Sequence, residues 1–141
     1  MDKENKLVPG LPPGFEDRWS NKLLLKKKLI KAIEKNFIKF GAEALETPSF
    51  EISENIGSFL AEDDTNPMSD VFSFQDGEKN ITLRYDLSSP LARFVAQNNQ
   101  ELPSIFKRYQ IQNVFRNEKA GNGRYREFMQ ADFDIVGNVD P

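Results

Sequence analysis

The sequence predicts an α+β domain built on a largely antiparallel sheet, and three observations predict it. The local signals run from one long helix through a short strand to several strands joined by turns. Three stretches alternate polar and apolar residues with a period of two, the mark of strands with one apolar face. The first of these stretches and one further apolar run flank Asp76-Gly77, a tight-turn signal between antiparallel strands. With 141 residues and 16.2 kDa there is room for one such domain around a single core.

Each element follows from its residues. Pro9, Gly10, Pro12, Pro13 and Gly14 make the N-terminal arm, residues 1–19, extended or looped. Ser20 is the expected N-cap of a helix reaching Phe40. Leu25, Leu29, Ile33, Phe37 and Phe40 form its apolar stripe, and Gly41 stops it. A short strand through Ala44–Thr47 is expected to end at Pro48. The acidic stretch Glu51–Asp70 follows, with a short helix from Ser53 to Leu60. Val71–Phe74 and Ile81–Tyr85 form the hairpin around Asp76-Gly77. Ser89-Pro90 opens a helix to about Asn98, because proline suits a first helical turn. Two long strands, Phe106–Arg116 and Arg124–Ile135, are joined by the glycine-containing loop Asn117–Gly123.

Composition removes whole classes of chemistry. The chain has no Cys and no His, which excludes Cys/His zinc sites, thiol nucleophiles, disulfides and any His-based triad. Chemistry must come from Asp, Glu, Arg, Lys, Gln, Ser, Thr and Tyr. A net charge of -3 argues against a wholly basic nucleic-acid binder. No apolar run approaches membrane-spanning length and the start lacks a signal-peptide pattern, so no membrane association and a cytoplasmic location are expected.

Charge is distributed in blocks. Seven Lys and one acid lie between Lys22 and Lys39, while residues 40–78 hold ten acids and no base. Between Arg84 and Arg126 eight bases, six of them Arg, stand against Asp86, Glu101 and Glu118. Even positions of the alternating stretches collect Thr82, Arg84, Asp86 and Ser88, then Arg108, Gln110, Gln112, Arg116 and Glu118. The last stretch adds Arg124, Arg126, Phe128, Gln130, Asp132 and Asp134. Odd positions are mainly apolar and are expected to face the core. The even face is then either simply wet or a binding surface. Arg suits bidentate anion contacts, the acids suit a cationic group, and Phe128 offers a ring for a planar base. Arg116 and Arg124 flank the glycine loop, so both can approach one polyanion. No P-loop and no glycine-rich dinucleotide fingerprint is present.

Val114-Phe115-Arg116-Asn117-Glu118 followed by Gly123-Arg124-Tyr125-Arg126-Glu127-Phe128-Met129-Gln130 resembles motif 2 of class II aminoacyl-tRNA synthetases, in the form of the histidine enzymes. Thr82–Ser88 is similar to their amino-acid-binding strand, Pro48 to the motif 1 proline, and Leu11–Asp17 to their N-terminal arm. The resemblance runs collinearly along nearly the whole chain. It implies a class II synthetase-like antiparallel sheet flanked by helices. Motif 1 would occupy 20–50, the amino-acid strand 81–88 and motif 2 106–136.

The resemblance also implies roles. Arg116 would contact the ATP α-phosphate and the substrate carboxylate. Glu118 would orient the adenine region, Arg124 would bind the outer phosphates, and Phe128 would stack beneath adenine. Asp86, Ser88 and Gln130 would hold the histidine ammonium group, with Asp134 beside the imidazole. Asp86 and Asp134 stand where many members have Glu, and Ser88 where Thr is common. The implied activity is that of a histidine–tRNA ligase, using ATP and Mg²⁺ to form histidyl-adenylate and then charge the histidine tRNA. A homodimer is implied through motif 1. Arg84 is left open between a structural and a binding role, Arg126 between packing and pairing with an acid, and Asp132 reads as a solvated or structural carboxylate.

Two other readings remain open on sequence. One is the synthetase-like regulatory subunit of ATP phosphoribosyltransferase, which the intact Arg116, Glu118, Arg124 and Phe128 set disfavours. The other is an interaction module with a merely wet sheet face. The sequence stops at Pro141, ahead of the family's motif 3 and anticodon-binding domain. A truncated core with negligible adenylation activity of its own is therefore expected.

Overall fold

A computed structural model describes residues 8–60 and 71–138, with the side chains of 57–60 outside that description. Residues 1–7 of the arm, the acidic stretch 61–70 and Asp140 also lie outside the described residues. Helix α1 spans Ser20–Lys39, followed by strands β1 (Glu43–Ala44) and β2 (Phe50–Ile52) and helix α2 (Ser53–Leu60). Strands β3 (Ser73–Asp76) and β4 (Lys79–Leu83) form the expected hairpin, and α3 spans Ser88–Asn98. The long strands are β5 (Ile105–Phe115) and β6 (Glu127–Gly137). The α+β class holds.

The strands form two three-stranded sheets, ordered β1-β5-β6 and β2-β4-β3. All pairings are antiparallel except β1 with β5, which run parallel through Glu43 opposite Arg108 and Ala44 opposite Tyr109. The sheets meet at Arg84, whose carbonyl accepts from Phe115 N–H at 3.0 Å while its own N–H reaches Ser49 O at 2.9 Å. Arg93 on α3 clamps Glu51 of β2 through two hydrogen bonds of 2.7 and 2.8 Å, and this contact holds its guanidinium firmly charged.

Several boundaries differ from expectation. Trp19, not Ser20, occupies the N-cap of α1, and no side chain caps that end; Ser20 is already helical by hydrogen bonding, with φ of 53°. The expected strand Ala44–Thr47 is observed as Glu43–Ala44, with Leu45 N–H adding one further bond to Tyr109 O. β6 begins at Glu127 rather than Arg124, since Gly121 and Arg124 close a small bridge that curls the loop back first. Gly41 and Gly77 adopt positive φ of 77° and 60°, as a helix stop and a tight hairpin turn need.

The inward stripe of α1 is Leu23, Ile30, Ile33 and Phe37, whereas Leu25 and Leu29 are exposed. Phe37 packs on Tyr109 and Phe133, and Phe40 meets Phe133 edge-on. The helix thus covers the odd, apolar side of β5 and β6 as expected. Of the two readings left open for the even face, a simply wet one does not hold for its β4 and β5 part. Thr82, Arg84, Arg108, Gln110 and Val114 are all buried. The residues 84–91, with Leu87 and Leu91 in the core, lie against the Arg108 end of that polar side, while Phe128, Gln130, Asp132 and Asp134 of β6 stay half-buried.

Candidate active site

The pleat of β6 puts Phe128, Gln130, Asp132 and Asp134 in one row, and register sets Val114, Gln112, Gln110 and Arg108 of β5 opposite them. Six residues along a strand span roughly 20 Å, so the row has two distinct ends.

At the Phe128 end, Arg116 N–H donates to Arg126 O at 2.8 Å, closing the ladder where β5 and β6 diverge. The Arg116 guanidinium lies between two rings, 4.4 Å from the Tyr85 centroid and 5.0 Å from that of Phe128. Its Nε donates to Tyr85 O at 3.4 Å. Stacking and one carbonyl fix the plane of the guanidinium and leave its terminal nitrogens for an anion. Glu118 accepts from Arg124 through contacts of 2.8 and 2.6 Å. Arg116, Glu118, Gly123, Arg124, Tyr125 and Phe128 line an open cavity of about 320 Å³. Gly123, at φ of 74°, makes the return that brings Arg124 back over it. Two guanidiniums and two rings around one cavity suit a polyanion carrying a planar group. In this state Glu118 engages Arg124 and Arg116 covers one face of Phe128, so a ligand taking those contacts must displace both.

The Asp134 end has the opposite character. Arg108 is fully buried; its Nη1 donates to Gln110 Oε1 at 3.2 Å and its Nη2 to Leu87 O at 3.1 Å. Nη2 also lies 2.7 Å from Asp134 Oδ2, an ion pair by distance whose direction falls off the hydrogen-bond axis. Asp86, Asp132 and Asp134 all lie within electrostatic reach of this guanidinium. Burial pulls the Arg108 guanidinium below its usual range, against the pull of these acids. Burial likewise pushes the Asp132 carboxyl up, helped by Asp134 and Asp86 and opposed by Arg108. Three carboxylates around one cation favour a cationic ligand.

The other expected residues fall as follows. Asp86 Oδ1 accepts Ser89 N–H at 3.1 Å, so Asp86, just ahead of the N-cap Leu87, satisfies a first-turn N–H of α3. Ser88 stands exposed as the first residue of that helix, outside the buried network. Gln130 is half-buried, and its Oε1 is buried without a hydrogen bond. The residues expected around histidine therefore spread along the row: Gln130 is the neighbour of Phe128 on one face of β6, Asp86 follows Tyr85, on which Arg116 stacks, and Asp134 lies at the far end.

Arg84 is structural. Its Nε donates to Asn113 O and its Nη1 to Thr47 O, both at 2.6 Å, and it reaches Gln112 Oε1 at 3.1 Å. Gln110 completes this core through Thr47 Oγ1 at 2.7 Å and Gln112 Oε1 at 2.6 Å. Arg126 packs over the Phe72 ring at 4.5 Å and touches Pro13 O and Asn117 Oδ1, so it anchors the arm rather than pairing with an acid. Sequence reasoning missed Arg108, Asp132, Tyr85 and Tyr125 as members of the site. Asp132 shares the parity of Gln130 and Asp134, and that signal was available. Arg108 needed the β5–β6 register.

Residues 16–139 match the family described as tRNA synthetases class II core domain (F). The chain belongs to this family. As a class II core domain it is 80% identical, over all 141 residues, to a histidine--tRNA ligase of Pelagibacter ubique (strain HTCC1062), of which it covers 30%. It is 46% identical over 136 residues, 96% of its length, to the histidine--tRNA ligase of Bartonella quintana (strain Toulouse), covering 27% of that protein. The chain thus spans about 30% of the length of the most similar curated relative named here. Among solved structures, histidyl-tRNA synthetase from Nostoc sp. PCC 7120 superposes with a TM-score of 0.76 at 27% identity, over 94% of this chain and 29% of that one. An ATP phosphoribosyltransferase regulatory subunit/histidyl-tRNA synthetase from Bacillus halodurans C gives a TM-score of 0.78 at 23% identity, over 99% and 35%, a likeness of fold alone. Among the described residues no helix is long and apolar enough to cross a membrane.

Proposed function

We propose that these residues form part of the catalytic core of a histidine–tRNA ligase. The observation that carries the reading is the single β6 row, cationic and aromatic at Phe128 and acidic at Asp134. The 80% identity to a protein of that name supports it. The carboxylate of histidine attacks the α-phosphorus of ATP, pyrophosphate leaves, and histidyl-adenylate forms. A tRNA hydroxyl then attacks the activated carbonyl and AMP departs.

Arg116 contacts the α-phosphate and the substrate carboxylate, offsetting charge where the new bond forms. Arg124 releases Glu118 to take the outer phosphates. Glu118 then serves the adenine region, with Phe128 beneath the base. Asp86, Ser88 and Gln130 receive the ammonium group, and Asp134 accepts from the imidazole. Catalysis rests on position and electrostatics, with no covalent nucleophile required. Among the described residues no three His, Cys, Asp or Glu side chains are grouped to hold a metal, and Glu118 is the only acid lining the Arg116 cavity. These residues do not form an Mg²⁺ cage. The ion enters this reading only with the nucleotide phosphates, which is its usual mode. The working protein is cytoplasmic and a homodimer in the same reading.

Histidine-dependent exchange of pyrophosphate into ATP by the whole protein is the test. Robust exchange is expected, and Arg116→Ala should cut its kcat by about 10²-fold or more, the scale for losing one transition-state donor. Histidine binding without any exchange would favour the regulatory-subunit reading instead.

A further inference from the structure

Arg108 has no role in the reaction as set out above, yet it is the largest fully buried side chain of the described residues. A guanidinium stripped of water inside a sheet is costly unless it is paired and hydrogen-bonded. Its partners are specific. Register places Arg108 directly opposite Asp134, so the ion pair is a cross-strand pair written into the β5–β6 ladder. Gln110 Oε1 holds Nη1, and Leu87 O shares Nη2 with Asp134, while Nε is buried without a hydrogen bond. Gln110 in turn is tied to Thr47 and Gln112, so the fork cannot turn without disturbing a buried chain of hydrogen bonds. Leu87 lies between Asp86 and Ser88 in sequence, which joins the same guanidinium to the segment that carries the expected ammonium contacts.

The arrangement divides Asp134 in two. Oδ2 is buried against Nη2, while the side chain as a whole keeps 37% of its surface exposed. Arg108 therefore holds the carboxylate from the buried side and leaves the accessible part for a ligand. An aspartate has one methylene between backbone and carboxylate, one fewer than a glutamate. A fixed point behind it limits how that shorter group can aim.

We propose that Arg108 is a positioning residue for amino-acid selection: through its cross-strand pair with Asp134 it sets the carboxylate that recognises the imidazole N–H of histidine. This inference rests on the histidine-activation reading and deepens it. Arg108 does not touch substrate. It acts through Asp134, and through Leu87 O on the segment 86–88.

Steady-state pyrophosphate exchange in the whole protein tests it, with histidine and ATP varied separately. Histidine-dependent exchange by the unmodified protein is the control, and its absence would sink the parent reading rather than this one. Arg108→Lys keeps the charge but cannot serve Gln110, Leu87 O and Asp134 together. It is expected to raise the KM for histidine about tenfold, with the KM for ATP within about twofold of the unmodified protein. Arg108→Met should raise the histidine KM by roughly 10- to 100-fold, the scale for leaving a buried polar group without its partner. Asp134→Asn should do the same. Adding Arg108→Lys to Asp134→Asn should then change the histidine KM by less than about twofold, because both act through one contact. A lower kcat at unchanged histidine KM, independent additive effects of the two substitutions, or loss of soluble protein with both Arg108 variants would make Arg108 a structural ion only and overturn the proposal.

Discussion

Asp132 shows how a single carboxyl reports its surroundings. Burial raises its affinity for a proton above the ordinary value of 3.8, Asp134 and Asp86 push the same way, and the pull of Arg108 is outweighed. A carboxyl raised in the fold binds its proton more tightly folded than unfolded. The fold is therefore most favoured below 3.8 and loses that contribution as pH rises through the raised value. Asp132→Asn should accordingly increase the melting temperature of the ligand-free protein at pH 7, with the gain shrinking as pH falls toward 3.8. An unchanged or lower melting temperature at pH 7 would show that the pairing with Arg108 outweighs desolvation. At this scale the sequence made the polar row legible, because parity alone collects Phe128, Gln130 and Asp134. It did not reveal that the row is half-buried and that the Arg108 opposite it is fully buried. Alternation shows that two faces differ in polarity and is silent on which is covered, so Arg108 and Asp132 read as surface charges. Arg84 is defined by three acceptors from two distant segments, Gln112 Oε1 and Asn113 O of β5 and Thr47 O after β1.

Elements were more legible than their edges. The hairpin at Asp76-Gly77, the α2 span Ser53–Leu60 and the two long strands all follow from local chemistry. The shortened β1 and the late start of β6 do not, since both depend on partners far along the chain. β1 is limited by its parallel contact with β5, and β6 by the Gly121–Arg124 bridge. The β5–β6 register has its own lock at Gly137, which pairs with Ile105 at φ of 138°. A Cβ there would stand inside the van der Waals radius of Ser104 O and crowd Ile105 Cα, both backbone atoms that cannot swing aside. Gly137→Ala should destabilise the protein by about 2 kcal/mol or more, combining an unfavourable φ with a backbone clash. A urea unfolding midpoint within error of the parent would contradict this. The consequence reaches the site, because Arg108 and Asp134 are paired only three positions further along the same ladder.

At the scale of the fold, the described residues leave α1 incompletely covered. One stripe packs on Tyr109 and Phe133, yet none of the twenty residues of the helix is buried. Leu25 and Leu29, one turn apart on the same outer face, are 69% and 60% exposed, and Leu24, Ile38 and Phe40 are exposed as well. Isolated exposed leucines need no explanation, but several on one helix mark a surface that another surface covers. Lysines interleave with them, at Lys27, Lys28, Lys31 and Lys35, so the face is amphipathic rather than a membrane anchor by its pattern. The expected homodimer through this helix supplies a specific occupant: a second copy of α1 and its neighbouring strand. Each buried leucine contributes about 1.5–3 kcal/mol when fully removed from water, so placing a charge at both positions is enough to upset a standard interface. Leu25→Glu combined with Leu29→Glu in the whole protein should shift its mass in solution from dimer to monomer by light scattering. The circular dichroism of the folded chain should remain, because neither side chain supports the core. A dimer that persists at micromolar concentration with both glutamates present would assign the covering of α1 to another part of the same polypeptide. A dimer that dissociates while histidine and ATP still bind would separate assembly from the chemistry of the β6 row.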